Sequence, residues 1–216
     1  QSLISGAFHF DTFDERFGQF SYDEWIKAKK RVISSEEGKP KFVYAHSPYP
    51  KHSQNSGKCL KDENKKFEER LKIANAEMRL DVESILKQKK DAIIIVNGDH
   101  GPYLTGDCLD LEKFYGSYDE ITRLDLQDRF GAFLAIRWPD NLKIDSSEKQ
   151  IVVLQESLRV VVNILFPSSE LFRKKLPSRT IGILGSGPAI ENGIINIGVN
   201  AGEKLFEGLK VAGEKK

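Results

Sequence analysis

The sequence predicts a single α/β domain in which a mostly parallel sheet is flanked by helices. Two short apolar runs, at residues 41–46 and 92–96, have the composition of buried strands. Between them, residues 64–90 carry apolar side chains at steps of three and four, which is the spacing of one helical face. A strand, a helix and a second strand in this order predict a right-handed crossover with both strands parallel.

The other elements follow from the same two periodicities. Residues 22–33 are predicted to be helical, and residues 131–138 to form a strand that Pro139 ends. Residues 148–166 carry a strongly apolar helical face. After Gly182, alternating glycine and isoleucine indicate short strands followed by a frayed end. All 216 residues are assigned to one domain, which is long enough to bury one good core.

Charge and hydropathy exclude several classes of partner. The 33 basic and 32 acidic residues are interspersed, so no electrostatic field favours nucleic acid or an anionic membrane. No apolar run approaches the ~18 residues of a membrane helix. Because the chain begins at Gln1 and not at methionine, we expect a processed or truncated product, attached to a membrane only through missing upstream segments. Nothing in the pattern indicates the oligomeric state.

The best candidate for a metal site is the turn that follows the second predicted strand, Gly98-Asp99-His100-Gly101. Asp99 supplies a carboxylate oxygen and His100 an imidazole nitrogen, a pairing suited to Zn²⁺ or Mn²⁺. The flanking glycines allow the backbone to bend without hindrance from a Cβ atom. The alternative is structural: Asp99 caps a turn, and His100 is a buried histidine with its hydrogen bonds satisfied.

Three further groups belong to the same predicted edge. His46 ends the first strand, so a parallel crossover places it within roughly 10 Å of Asp99, where it is a candidate for binding a metal or an ester oxygen. His52, six residues later, has a weaker claim to the same role. Cys59 and Cys108 follow the two site segments, so either a disulfide between their loops or two separate thiols is expected. No catalytic nucleophile is identified.

Two segments resemble a known family. Phe42-Val43-Tyr44-Ala45-His46-Ser47-Pro48 and Ile94-Ile95-Val96-Asn97-Gly98-Asp99-His100-Gly101-Pro102 are similar to the sulfatase-like branch of the alkaline phosphatase superfamily. Its bacterial members include phosphoethanolamine transferases and lipoteichoic acid synthases. The resemblance covers about residues 40–167, including Arg129-Phe130-Gly131 at the start of a predicted strand, and it implies an alkaline phosphatase-like sheet that is incomplete here.

The resemblance also implies a function. Asp99 and His100 would bind a divalent metal ion, zinc first, with manganese or calcium as alternatives. His46 would contact a phosphate- or sulfate-ester substrate or a second metal, and His52 is a further candidate for contacting the substrate. The implied activity is metal-dependent hydrolysis or transfer at that ester, outside the cytoplasm, in a longer membrane-anchored protein.

The sequence departs from the family's pattern in ways that keep other functions open. The family's nucleophile and first acidic ligand precede this region, and nothing before Pro40 matches them; Thr12 is a poor candidate. We therefore expect the C-terminal part of such a catalytic domain, with activity weak or absent in this chain alone. The alternatives are a non-catalytic domain of the same fold that binds a glycan or envelope partner, and a plain α/β domain without metal.

Overall fold

The fold is taken from a computed structural model, which describes the following residues: 21–35, 40–51, 53, 61–105, 117–144, 151, 153–167, 178–180 and 187–206. These residues form helices together with a few short strands. The prediction of a mixed helix-and-strand domain is therefore confirmed at that level. None of the helices within these ranges is long and apolar enough to cross a membrane.

Two helices precede the first strand, both close to where periodicity predicts them. Helix α1 spans Tyr22–Ser34 and begins at a capping box, in which Ser21 accepts from the Glu24 amide and the Glu24 carboxylate accepts from the Ser21 amide. Helix α2 spans Glu63–Gln88. The predicted apolar face of α2 is only partly covered, since Leu71 remains exposed while Met78 and Val82 are half-buried.

Helices α1 and α2 are joined mainly by polar contacts. The Lys29 ammonium is 2.5 Å from both a Glu77 and an Asp81 carboxylate oxygen, and its side chain is only 6% exposed. It also lies 4.2 Å from the centre of the Trp25 ring, which attracts a cation. The Tyr22 hydroxyl donates to the second Glu77 oxygen at 2.6 Å. Burying one cation between two carboxylates fixes how the helices pack against each other.

The central strands are β1, Ile94–Asn97, and β2, Leu134–Arg137, with Ile95 opposite Ile136. Both lie inside or beside the apolar runs that predict them, so the existence of these strands is confirmed. They pair antiparallel. The amide of Gly98 continues the pairing by donating to the Phe133 carbonyl at 2.9 Å. No parallel pair occurs among the strands that the structure describes.

The predicted strand at residues 41–46 does not form. The segment has no regular secondary structure, and Phe42 and Tyr44 are 60% and 73% exposed, so the expectation of a buried strand was wrong. An apolar run becomes a strand only where another strand accepts its hydrogen bonds. The described strands β1 and β2 pair with each other, and neither pairs with this segment.

Shorter elements complete the described chain. A 3-10 turn at Tyr118–Glu120 precedes helix α3, Arg123–Phe130, which has its own capping box between Thr122 and Asp125. Helix α4 spans Gln155–Leu165, so it begins later than residue 148, the predicted start. Strands β3, Ile190–Glu191, and β4, Ile194–Ile195, form the short hairpin expected in the glycine- and isoleucine-rich tail.

The buried core joins α3 to this hairpin. It is a single cluster of six apolar side chains, two from the α3 region and four from the C-terminal segment: Ile121, Leu126, Ala189, Ile190, Ile195 and Leu205. Main-chain hydrogen bonds support the same contact, because the Val199 amide donates to the Ile121 carbonyl at 2.9 Å. Helix α3 is therefore held on one side by the best-packed part of the described structure.

Candidate metal site

Asp99 and His100 follow β1 and face each other. Asp99 accepts from the His100 amide through Oδ1 at 3.1 Å, and its Oδ2 lies 3.6 Å from His100 Nε2. Their side chains are 68% and 36% exposed. The two predicted ligands are thus brought together by a local turn, in a position that an ion can reach from solvent.

The hydrogen bonding of His100 defines which ring nitrogen points at Asp99. Nδ1 is 2.7 Å from the Gly101 carbonyl oxygen. A carbonyl only accepts, so Nδ1 must carry a proton, and in the neutral ring Nε2 then holds the lone pair. This is the arrangement usual for metal-binding histidines, in which the second ring nitrogen donates to a carbonyl or carboxylate.

The spacing of the two donors fits a shared cation. When its ring is neutral, His100 turns a lone pair towards a carboxylate oxygen 3.6 Å away, and two electron-rich atoms so placed are stabilised by a positive charge between them. Two donors about 2.0–2.2 Å from one zinc ion at a tetrahedral angle lie roughly 3.4 Å apart. The alternative is a proton on Nε2, which would make His100 a cation that pairs with the Asp99 carboxylate.

The turn is fastened to the carboxyl end of α3. The amide of Gly101 donates to the Arg129 carbonyl at 3.1 Å, and the amide of Tyr103 approaches the Asp128 carbonyl at 3.5 Å. Thr105 donates from its amide and hydroxyl to one oxygen of the buried Asp128 carboxylate, at 2.8 and 2.9 Å. The last carbonyls of the helix, which lack partners within it, are therefore used by the turn.

The main chain at Gly101 lies so close to α3 that only a glycine fits there. This differs from the role in the bend that was predicted for both glycines. A Cβ atom on Gly101 would lie 1.8 Å from the Asp128 carbonyl oxygen. Gly98 has room for a Cβ atom, with its nearest neighbour at 3.5 Å, and neither glycine has a positive φ. Gly101 is thus required by packing rather than by the bend, and nothing in the local geometry requires Gly98.

His46 lies in a loop that reaches the same turn. Ser53 is fully buried, its amide donates to the Pro102 carbonyl at 3.0 Å, and its hydroxyl donates to the Tyr103 carbonyl. His46 itself is exposed, with Nδ1 3.4 Å from the Tyr44 hydroxyl. The loop after His46 and the loop after His100 are therefore connected, while the predicted 10 Å proximity of His46 to Asp99 stays a prediction.

The other predicted site residues lie outside the described residues: His52, Cys59 and Cys108. The Cys59–Cys108 disulfide and the substrate role of His52 accordingly stay predictions. Within the described ranges, no three His, Cys, Asp or Glu side chains converge as a complete metal site would require. The structure thus brings two of the predicted ligands together.

Sequence reasoning missed the residues that support this turn. Tyr103 stacks on His100, with ring centres 4.7 Å apart and planes 18° apart. The Arg129 guanidinium lies 5.9 Å from the centre of the Tyr103 ring. Asp128 anchors the turn through Thr105. Asp128 and Arg129 are more than twenty residues from the turn in sequence, so no local motif links them to it. The clue that the sequence does offer is Gly101, because a glycine can also mark a close approach between main chains.

Comparisons with known proteins add no relationship: the chain matches no family model, and no curated protein or solved structure is significantly similar to it.

Proposed function

We propose that this chain is part of a sulfatase-like enzyme that hydrolyses or transfers a phosphate or sulfate ester with the help of a divalent metal ion. The observation that carries the proposal is the Asp99–His100 pair, in which Oδ2 and Nε2 are spaced for one ion and Nδ1 is committed to a carbonyl. The carboxyl end of α3 beside Gly101 contributes a partial negative charge that also favours a cation.

The proposed role of each residue follows from its chemistry. Asp99 and His100 bind the ion, which when present stabilises negative charge on the ester oxygens and activates the attacking group. His46, on the connected loop, contacts the substrate. Two protein ligands are fewer than the four donors usual for zinc, so the proposal requires donors from water and from residues beyond those described.

The proposed fold is alkaline phosphatase-like, with β1 leading into the Asp99–His100 turn. The proposed setting is outside the cytoplasm, as part of a longer membrane-anchored protein. The alternative is a non-catalytic glycan- or envelope-binding domain, which is favoured by the presence of only two converging ligands in the described residues.

Metal binding is tested most cleanly with Asp99→Asn. The amide oxygen of asparagine keeps the hydrogen bond from the His100 amide, while the charge that binds the ion is lost. Zinc should raise the Tm of the wild-type chain, because an ion at 100 times its Kd stabilises the folded state by about 2.7 kcal/mol. Asp99→Asn should abolish this shift and leave the metal-free Tm nearly unchanged. Zinc and manganese should act more strongly than calcium, which prefers oxygen ligands.

Asp91→Asn is the matched control. Asp91 is also exposed and lies near the same strand. It precedes β1, however, whereas Asp99 follows β1. It should keep the full zinc response. His100→Ala should lose the response as well. If His100→Ala instead lowers the metal-free stability by about 1–3 kcal/mol and no variant responds to zinc, His100 is structural and the proposal is wrong.

A catalytic function is separated from a binding function by turnover of simple aryl phosphate and aryl sulfate esters. Zinc-dependent hydrolysis that disappears in Asp99→Asn supports the enzyme. Zinc binding without hydrolysis of either ester in the full polypeptide supports the non-catalytic domain.

A further inference from the structure

Tyr103 has an unusual backbone conformation. Its φ is 56°, in the left-handed region that side chains with a Cβ atom avoid, and the residue is buried. A bulky aromatic residue persists there only when its surroundings impose the conformation, and such positions are concentrated at functional sites. Glycine or asparagine would be less strained at this position.

The main chain of Tyr103 is held from two directions. On one side, its amide faces the Asp128 carbonyl, and Thr105, two residues later, is bound to the Asp128 carboxylate. On the other side, the buried Ser53 donates its hydroxyl to the Tyr103 carbonyl and its amide to the Pro102 carbonyl. These contacts join α3 and the His46 loop to the same short segment, and they impose the conformation.

The consequence of this conformation is the position of the Tyr103 ring. The ring lies almost parallel to the His100 imidazole, with centres 4.7 Å apart and planes 18° apart. The hydrogen bond from Nδ1 to the Gly101 carbonyl sets the direction of the imidazole within its plane, while the stack sets the plane itself. Together they determine where Nε2 points, which is towards Asp99 Oδ2.

We propose that Tyr103 is a positioning residue that holds the imidazole of His100 in the orientation in which Nε2 and Asp99 bind one metal ion. The inference rests on the proposed function. A histidine that is already held in place loses little side-chain entropy when the ion binds. The strained backbone at Tyr103 therefore raises metal affinity, because it places the ring that holds His100. The ring, not the hydroxyl, is the part of Tyr103 that does this.

The test measures zinc affinity by competition with a chromophoric chelator, at a temperature where each variant is folded. Tyr103→Asn removes the ring and accepts the left-handed conformation, so it should bind zinc at least ~10-fold more weakly, as loss of a residue supporting a ligand does. Its metal-free Tm should fall, because a buried ring is lost, so the affinities are compared only where the variant is folded. Tyr103→Phe keeps the ring and should bind zinc as the wild-type chain does. Should Tyr103→Asn fail to fold, Tyr103→Leu keeps the apolar volume and should show the same loss of affinity.

The outcomes separate this inference from the proposed function. Equal zinc affinities in the wild-type chain and in Asp99→Asn would overturn the metal site, and the positioning role of Tyr103 with it. Zinc binding that depends on Asp99 but is equal in Tyr103→Asn and the wild-type chain overturns the positioning role alone. An equal loss in Tyr103→Phe and Tyr103→Asn would assign the effect to the hydroxyl and contradict the role of the stacked ring.

Discussion

At the scale of single residues, Gly101 and Gly98 look equivalent in sequence but are constrained differently. Gly101 touches the main chain of α3, whose carbonyl oxygen at Asp128 leaves no space for a methyl group. A Cβ atom on Gly98 would meet nothing closer than 3.5 Å. The pair therefore provides a test of whether the turn is packed against α3 as closely as the structure indicates.

Gly101→Ala should destabilise the chain by about 1–3 kcal/mol, because a main-chain carbonyl cannot move aside as a flexible side chain can. Gly98→Ala, the same substitution three residues earlier, should change stability by no more than about 0.5 kcal/mol. Urea unfolding of both variants measures the difference. Equal stabilities would show that the turn is not seated on α3.

At the scale of elements, the pairing of α1 with α2 depends on ionisable groups. The hydrogen bond that Tyr22 donates to Glu77, followed by burial, raises the pKa of the Tyr22 hydroxyl from 10.0 to about 12. Ionised Tyr22 would lose this bond and place its charge beside a carboxylate. The raised pKa therefore stabilises the folded chain below pH 10, and this contribution is lost as the pH rises through 12.

Tyr22→Phe removes this contribution, so the variant should be less stable than the wild-type chain at neutral pH. The difference in Tm between the two should shrink as the pH rises from about 10 to 12. Comparing the two curves cancels the contributions that are common to both chains. Tyr44→Phe makes the same substitution at a far more exposed tyrosine and is the matched control. A Tyr22→Phe curve that runs parallel to the wild-type curve would show that the Tyr22–Glu77 bond does not form.

Helices α1, α2 and α4 and the candidate turn could be read from the sequence, for identifiable reasons, whereas helix α3 was not predicted. Periodicity over the 26 residues of α2 is long enough to locate both of its ends within about two residues. Asp99 and His100 meet because they are adjacent in the chain. The direction of strand pairing could not be read, because an apolar run such as β1 is compatible with either direction. The support from Tyr103 and Asp128 could not be read either, because it depends on contacts between segments distant in sequence.

At the scale of the whole molecule, the site depends on a core that lies outside it. The turn sits on α3, and α3 is anchored through Ile121 and Leu126 to the C-terminal hairpin, where Ile195 is fully buried. The segment after residue 187 thus contributes to the stability of a site that is formed almost a hundred residues earlier.

Ile195→Ala should lower the free energy of unfolding by about 2–5 kcal/mol, and Ile195→Val by about 0.5–1.5 kcal/mol, in proportion to the cavity that each leaves. Ile73→Ala, at an exposed isoleucine of α2, is the control and should cost no more than about 0.5 kcal/mol. Urea denaturation measures all three. A loss at Ile195 no larger than that at Ile73 would show that the hairpin is not packed on α3.

The exposed segment at residues 42–44 has a consequence for how the molecule behaves at high concentration. An extended apolar stretch outside any ladder is a template on which the same stretch of another molecule can add, as in the growth of cross-β aggregates. Pro40 and Pro48 bracket it, and since proline lacks an amide hydrogen, such an added ladder cannot extend past them. Lys41 adds a charge that repels its copies in neighbouring molecules. We therefore expect this segment, together with the residues that flank it, to influence the colloidal stability of the chain.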